Sequence, residues 1–330
     1  MKDFVCQIGK RDITFDIMKA IALFLMVAGH TVGPESPIHN YIYAFHMPLF
    51  FMISGYFAKK KECKENISSL YRRIINPYIF ICVIVILLKA LVHYHNNNSI
   101  FIDWETAVFG AGPGWFLLAM FWGRIIFNVL IGFPPKKYLI ISFSLSSFPT
   151  ILQWTGLYVS IPFCFMQGLS CTFFIAIGYF VRQKDILPQL DRYWWIVIIS
   201  WLFWLNTSIF GEIEMSVGFF RLWVVDYLGA IGGTYLGFRM AKLLARHWQR
   251  LALFLTEVSI YSLAIYSIHT IDFCVHFWHH LSPLVSQEYM VMTILLLRFV
   301  LFYPIIQITK RIPFLYHLFV GKPKMSELRQ

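Results

Sequence analysis

Residues 11–57 constrain this chain most, because they place ionisable side chains inside an apolar run of membrane-spanning length. The run reads RDITFDIMKAIALFLMVAGH (11–30), breaks at GPESP (33–37) and resumes as YIYAFHMPLFFMISGYF (41–57). Asp16, Lys19 and His30 fall in the predicted first spanning helix. A charged side chain at the bilayer centre costs about 2.5–3.5 kcal/mol on insertion scales, and such residues are functional candidates by default. We therefore treat these three as candidate site residues.

The composition excludes an ordinary soluble enzyme. The chain has 330 residues, of which 58% are hydrophobic and 14% are charged, whereas soluble domains carry about 25% charged residues. The net charge of +11 could suggest nucleic acid, but 23 of the 28 Lys and Arg residues fall in six clusters (1–11, 59–73, 136–137, 182–192, 239–250 and 310–329). Basic clusters that alternate with apolar segments indicate membrane topology, so we predict no nucleic-acid partner.

The spacing of these clusters predicts a polytopic membrane protein of the all-α class. Five apolar segments lie between them (20–58, 74–135, 138–181, 193–238 and 251–309), each long enough for two passes of about 20 residues. Each segment has a break without Lys or Arg near its middle (33–37, 93–99, 153–156, 211–216 and 276–283). The positive-inside rule then predicts about ten transmembrane helices with both termini cytoplasmic. We predict a single domain over 1–330, with helices within about 12–310 and a cytoplasmic tail at 311–330.

Two other readings of the sequence are not favoured. A cleaved signal peptide would have its apolar region interrupted by Asp16 and Lys19, and no small-residue cleavage site follows, so we predict a retained helix. The six cysteines show no CxxC pair and no regular spacing, which indicates neither a disulfide framework nor a cysteine metal site.

Helical spacing puts the first-helix candidates on one face. Asp16 and Lys19 are i,i+3 neighbours and can form an ion pair. His30 follows Lys19 by 11 residues, about three turns, and lies about 16 Å further along the axis. The alternative is a lysine that reaches the interface beside a neutralising Asp16, with an interfacial His30. A histidine on this stripe could act as a general base, because it titrates near neutrality.

The second half of this hairpin adds His46 at its external end, near His30. Ser54 lies two turns further on and is followed by Gly55. A catalytic role for Ser54 and close packing of membrane helices through this pair of small residues explain it equally well.

These residues resemble a known family. An N-terminal arginine, D-x-x-K, a histidine 11 residues later and then FHMPLFFMISGYF are similar to the acyltransferase-3 family of bacterial integral membrane acyltransferases, with the fucose 4-O-acetylase-like branch as the nearest match. Further elements resemble later helices of the family in the same order. They are RRIINPY (72–78), GPGWFLLAMF (112–121), FFIAIGYFV (173–181) and EVSIYSLAIYSIH (257–269).

The resemblance implies about ten helices in the bacterial cytoplasmic (inner) membrane and the transfer of an acyl group onto a hydroxyl of a sugar or glycolipid. The donor is expected to be cytoplasmic acetyl-CoA or another acyl-CoA, with no tightly bound cofactor and no metal. The expected partners are this acyl-CoA, the acceptor and the lipid bilayer, and the sequence leaves a homo-oligomer open.

The resemblance also implies roles for individual residues. His30 matches the family's first-helix histidine and is the expected general base, with His46 assisting it. Lys19 stands where many members have arginine, so the charge is kept and the bidentate fork is lost. Arg11 matches the arginine at the start of that helix and would, with Lys19, line the donor's route, while Asp16 holds Lys19. A ping-pong route through an acyl-histidine stays open.

Further candidates come from later helices. Arg72 and Arg73 could bind the donor's phosphates, although ordinary positive-inside anchoring explains each as well. Trp115 could stack on a sugar, with an aromatic-belt position as the alternative. His269 lies inside the predicted ninth helix and is a candidate substrate-binding residue.

Two competing functions were weighed. The motif His276-x-x-His279-His280 resembles one histidine box of a membrane di-iron enzyme and would continue a helical stripe with His269 and Asp272. One box on the external side favours an interfacial loop instead. The second competitor is a polysaccharide or glycolipid transporter or flippase, whose path the intramembrane cations would line. These are Lys89, Arg124, Arg221 and Arg298, the last without an evident partner. No inverted repeat supports this alternative.

Overall fold

The structure, a computed structural model, describes residues 12–99, 101–278 and 286–321. Most of the described residues are helical, as the long apolar segments of the sequence predict. The first part contains α1 (Ile13–Val32), α2 (Pro37–Tyr43), α3 (His46–Tyr56), α4 (Cys63–Leu70), a π-helical turn (Tyr71–Ile75), α5 (Asn76–Asn97), α6 (Glu105–Val108), a 3-10 turn (Gly112–Gly114), α7 (Trp115–Leu130) and α8 (Pro135–Trp154).

The second part begins with another 3-10 turn (Pro162–Cys164) and contains one small hairpin among its helices. The helices are α9 (Phe165–Gln183), α10 (Ile186–Leu190), α11 (Trp194–Phe210), α12 (Val224–His247), α13 (Gln249–Ile260), α14 (Ser262–Val275), α15 (Gln287–Val300), α16 (Phe302–Arg311) and α17 (Pro313–Phe319). Strands β1 (Ile213–Glu214) and β2 (Phe219–Phe220) pair antiparallel, with Ile213 opposite Phe220.

Several helices are long and apolar enough to cross a membrane. Among the described residues five qualify: Ile13–Val32, Cys63–Asn97, Glu105–Leu130, Pro162–Gln183 and Tyr289–Arg311. A sixth span results if α13 and α14, which meet at a bend of 66°, count as one. The count of about ten and the cytoplasmic position of both termini stay predictions.

Three boundaries differ from the sequence-based expectations. The break expected at 93–99 begins later, because α5 continues through HYHNN to Asn97. The second predicted helix is only the 11-residue α3, about 16 Å long, with the separate α2 before it. The predicted tail contains α17, whose Phe319 ring lies 5.7 Å from that of Phe80 on α5.

Helix α1 lies at the centre of the fold. It packs against α2, α3, α12, α13, α14 and α15, and much of its length is buried, including Asp16 near its start and Gly29 near its end. A helix in contact with so many neighbours presents side chains to the protein interior rather than to lipid. The ionisable residues of α1 therefore lie where a functional site can form.

Helices α3 and α9 approach each other with backbone against backbone. A Cβ atom at Gly55 would lie 1.9 Å from the Ile175 carbonyl oxygen, and a Cβ at Gly178 would lie 1.9 Å from that of Met52. Close approach through small residues is a common way for membrane helices to associate. At Gly55 the structure therefore bears out the packing alternative.

Candidate active site

A cavity of about 370 Å³ lies at the C-terminal end of α1. Three histidines and a tyrosine from the first hairpin border it, together with a wall from α14, the Gly112–Gly114 turn and the β1–β2 hairpin. The lining residues include Gly29, His30, His39, Tyr43, His46, Pro113, Trp115, Glu214, Ser216, Tyr266 and Phe273. The cavity thus combines His30, His46 and Trp115, which the sequence predicted separately.

His30 is held by neighbours on two sides. Its Nδ1 lies 3.0 Å from Tyr43 Oη, and its ring lies 5.2 Å from that of Phe273 and 5.5 Å from that of His269, centroid to centroid. If Nδ1 carries the proton and donates it to Tyr43 Oη, Nε2 keeps a free lone pair. That tautomer is the one a general base requires.

Tyr43 connects the histidines of this cavity. Its ring stacks on His39 at 3.6 Å and lies 4.8 Å from His46. The close approach depends on Gly29, because a Cβ there would lie 2.9 Å from the tyrosine ring. His46 is 1% exposed, and its Nδ1 lies 2.9 Å from the Ile42 carbonyl oxygen. This contact assigns the Nδ1 proton to the carbonyl and leaves Nε2 of His46 as an acceptor.

The β1–β2 hairpin brings an acid to the cavity that the sequence did not single out from the other external loop acids. Glu214 Oε1 accepts hydrogen bonds from the backbone and the hydroxyl of Ser216, at 3.2 and 2.5 Å. Gln167 Nε2 in turn donates to the Ser216 carbonyl at 2.6 Å, which fixes the hairpin on α9. The position of Glu214 opposite these histidines could have been predicted only with knowledge of the fold.

The charge of Glu214 acts on His39, which lies on the short helix α2 outside the candidate spans. Burial lowers the pKa of His39 below its usual value, while the Gly29 carbonyl and the Glu214 carboxylate oppose this effect. His39 therefore lies in the electrostatic range of the hairpin acid.

The opposite wall is also fixed. Tyr266 on α14 donates a hydrogen bond of 2.6 Å to the Pro113 carbonyl, which holds the 3-10 turn before Trp115. Trp115 borders the cavity at this turn.

His269 lies behind His30. It is 5% exposed, and both of its ring nitrogens have no hydrogen-bond partner among the described residues. It does not line the cavity of His30 but a second cavity on the other side.

The residues predicted for the donor lie apart from this cavity. Lys19 and Asp16 form the predicted ion pair at 2.8 Å, and Ser259 donates to Asp16 at 2.9 Å. Arg72 and Arg73 are exposed on the π-helical turn. None of these four lines the cavity, and Arg11 lies outside the described residues.

Each of the four cations named in the sequence has a partner in the structure. Arg221, which was predicted within the membrane, lies instead in the turn after β2, exposed and outside the candidate spans. Arg298, which showed no partner in the sequence, pairs with Asp272 at 2.8 Å and donates to Thr31 at 2.7 Å. The sequence did contain a signal for this pair, because Asp272 is the only acidic residue of α14. The remaining pairs are Lys89–Asp103, Arg124–Ser54 and Arg221–Glu212. Each of these four cations therefore has a polar partner within the protein.

The proposed histidine stripe ends early. Helix α14 stops at Val275, and His276 adopts a left-handed conformation, so His276 does not continue the face of His269 and Asp272. His279 and His280 lie outside the described residues. Within the described ranges, no group of three or more His, Cys, Asp or Glu residues could hold a metal ion.

Together the apolar helices and the histidine cavity at the end of α1 are those of a multi-pass membrane protein with a candidate site among its helices. A family model described as an acyltransferase domain, Acyl_transf_3, matches residues 12–317. Because this match covers nearly the whole chain, the chain belongs to the acyltransferase-3 family.

Two curated relatives carry the same printed name, nodulation protein NolL. The chain is 29% identical over 192 residues to that of Mesorhizobium japonicum, covering 50% of this chain and 51% of the relative. It is 31% identical over 133 residues to that of Sinorhizobium fredii, covering 35% and 36%. The matched part thus spans about half or less of each relative's length. No solved structure matches.

Proposed function

We propose that this chain is a membrane O-acyltransferase of the bacterial cytoplasmic membrane that transfers acetyl from acetyl-CoA to a hydroxyl of a cell-surface or exported sugar. Family membership supports the reaction class. The observation that carries the proposal further is the buried cavity in which His30, its partner Tyr43 and the carboxylate of Glu214 face one space.

In the proposed reaction His30 is the general base. The acceptor hydroxyl attacks the thioester carbonyl carbon and forms the new C–O bond, while its proton passes to His30 Nε2. Collapse of the tetrahedral intermediate breaks the C–S bond, and the leaving CoA thiolate recovers the proton from the imidazolium. The products are the sugar ester and CoA thiol, so atoms and charges balance.

Tyr43 supports this reaction in two ways. Its oxygen accepts the Nδ1 proton of His30 and so fixes the basic tautomer, and its own O–H is then free to donate. A hydroxyl donor in a water-poor site stabilises a developing oxyanion. His46, whose Nε2 is an acceptor, assists by orienting the acceptor, and Trp115 and Glu214 supply stacking and hydrogen bonding to a sugar.

We assign the donor to the other end of α1. Lys19, held by Asp16, and Arg11, Arg72 and Arg73 are the proposed contacts for the negatively charged CoA moiety. His269 is proposed to contact substrate behind His30. The distance of about 16 Å along α1 from Lys19 to His30 would be spanned by the extended arm of the donor.

The test is transfer of labelled acetyl from acetyl-CoA to surface glycan in membranes that carry the protein. His30→Ala should abolish the transfer, while His95→Ala, at an exposed position on α5, should keep it. Both variants must reach the membrane fraction in equal amounts. Retained transfer by His30→Ala would contradict the assignment, and glycan export without acetylation by the unaltered protein would favour the transporter.

A further inference from the structure

A second cavity, of about 340 Å³, lies on the other side of α1, between α1, α5, α14, α15 and α16. This volume falls in the range of about 300–1,000 Å³ that small-molecule sites occupy. Most of its wall is aliphatic or aromatic, including Leu88, Ile268, Val275, Leu301 and Ile305. All five belong to helices that are long and apolar enough to cross a membrane, alone or as the bent pair of α13 and α14.

Polar atoms without partners are concentrated in the same cavity. Both ring nitrogens of His269, Oδ1 of Asp272 and Nε1 of Trp278 are buried and have no hydrogen-bond partner among the described residues, and all three side chains line this space. A buried polar group without a partner costs roughly 1–3 kcal/mol. An amphipathic occupant with hydrogen-bonding atoms at one end would satisfy them.

The polar wall of this second cavity adjoins the active site. The His269 ring lies 5.5 Å from that of His30, and Arg298 binds both Asp272 in the second cavity and Thr31, the residue after His30. A molecule with its apolar part in the second cavity would therefore have its polar end beside His30.

We propose that this cavity binds the hydrocarbon chain of a lipid-linked sugar that is the acyl acceptor. The chain lies among Leu88, Ile268, Leu301 and Ile305, polar atoms of the linkage bond to His269 and Asp272, and the sugar reaches the cavity of His30. This substrate class rests on the proposed function, because it identifies the chain with that of the acceptor.

Charge favours a neutral linkage over a phospholipid headgroup. Arg298 is already neutralised by Asp272 at 2.8 Å, so among the described lining residues no cation is free for a phosphate. The unpartnered groups, an imidazole, an indole N–H and one carboxylate oxygen, suit the hydroxyl, ether and amide groups of a glycolipid.

The test is photolabelling of the full-length protein in phosphatidylcholine nanodiscs, with dodecyl glucoside that carries a diazirine at the chain end as the probe. We expect label in α14 and α16, suppressed by excess unlabelled dodecyl glucoside. Leu301→Trp, which fills the cavity, should reduce the label at least tenfold. Val300→Trp, on the exposed face of α15 (67% exposed), is the matched control and should not.

A second cavity-filling variant, Val275→Phe, serves if Leu301→Trp does not fold, and it should reduce the label similarly. Label that is unchanged in both variants would overturn the proposal. Equal labelling of the same peptides by a diazirine phosphatidylcholine would also overturn it and indicate a site for bulk lipid. Labelling does not require acetyl transfer, so the two proposals can fail separately. If the proposed enzymatic function is wrong, acetyl transfer will be absent while specific labelling of the cavity remains.

Discussion

Tyr43 Oη lies 3.0 Å from His30 Nδ1 across the turn that joins α1 to α2. The contact depends on Gly29, because the absence of a side chain there lets the tyrosine ring approach α1. In the proposed mechanism Tyr43 fixes the tautomer of the base His30, so it acts on the chemical step rather than on donor binding. This relationship gives the first prediction.

Tyr43→Phe should lower kcat about 10- to 100-fold with little change in KM for acetyl-CoA. The variant removes the acceptor that fixes the Nδ1 proton of His30, and general acid–base catalysis contributes roughly 10²–10⁴-fold. Steady-state rates with labelled acetyl-CoA measure both constants. Tyr41→Phe, whose ring packs on Trp204 instead, is the control. An equal loss in both variants would show that the hydroxyl of Tyr43 has no special role.

Glu214→Gln should raise KM for the acceptor about tenfold and leave KM for acetyl-CoA unchanged. The carboxylate borders the cavity and can accept hydrogen bonds from sugar hydroxyls, and bonds to a charged group contribute about 1.5–3 kcal/mol. Glu212→Gln is the matched control on the same loop, because Glu212 is exposed and faces Arg221. If KM for the acceptor does not respond to Glu214→Gln, the acid serves only to hold the hairpin.

Much of the candidate site could be predicted from periodicity alone. The ion pair of Asp16 with Lys19 follows from i,i+3 spacing. His30 and His46 border one cavity because only the short helix α2 separates their helices in the chain. The breaks near 33 and 153 could be located because Gly, Pro and polar residues interrupt apolar runs there.

The rest depends on contacts between segments distant in the sequence. Glu214 reaches the cavity on a small hairpin that bonds to Gln167 on α9. Arg298 finds Asp272 because α14 and α15 both pack against α1. Helix α5 continues through HYHNN to Asn97 and ends only where Asn98 adopts a left-handed conformation. None of these outcomes follows from local pattern or propensity.

The Arg298–Asp272 pair yields a stability prediction. Both side chains are nearly buried, with 12% and 13% exposure, and removing one partner of such a pair costs about 3–5 kcal/mol because the other charge stays unpaired. Arg298→Met and Asp272→Leu should each lower the Tm of the purified protein markedly. The double variant should recover most of the loss, whereas a double variant as unstable as both singles combined would contradict a direct pairing.

Asp103, in the loop before α6, gives a pH-dependent prediction. Hydrogen bonds from Thr106 and Lys89 lower the pKa of Asp103 to about 2, below the value of about 3.9 expected in the unfolded chain. The carboxylate therefore stabilises the fold above pH of about 4, and this contribution is lost as the pH falls from about 4 to about 2.

Asp103→Asn should accordingly lower the free energy of unfolding at pH 7 by about 1 kcal/mol or less, because the ion pair is partly exposed. The difference from the unaltered protein should shrink steadily below pH of about 4 in thermal unfolding series. Glu105→Gln, at an exposed neighbouring position, should show no such trend. If the difference in the free energy of unfolding did not change with pH, the ionised carboxylate of Asp103 would not be its cause.

The contact of α3 with α9 gives the last prediction, because α3 carries both His46 and the glycine of closest approach. Gly55→Ala places a methyl group 1.9 Å from the Ile175 carbonyl oxygen, so the two backbones must separate. Overpacking of this kind costs about 1–3 kcal/mol, and we expect a lower Tm together with reduced acyl transfer as His46 shifts. Gly132→Ala meets only the end of the Lys60 side chain at 3.2 Å, which can move, so its Tm and activity should stay near those of the unaltered protein.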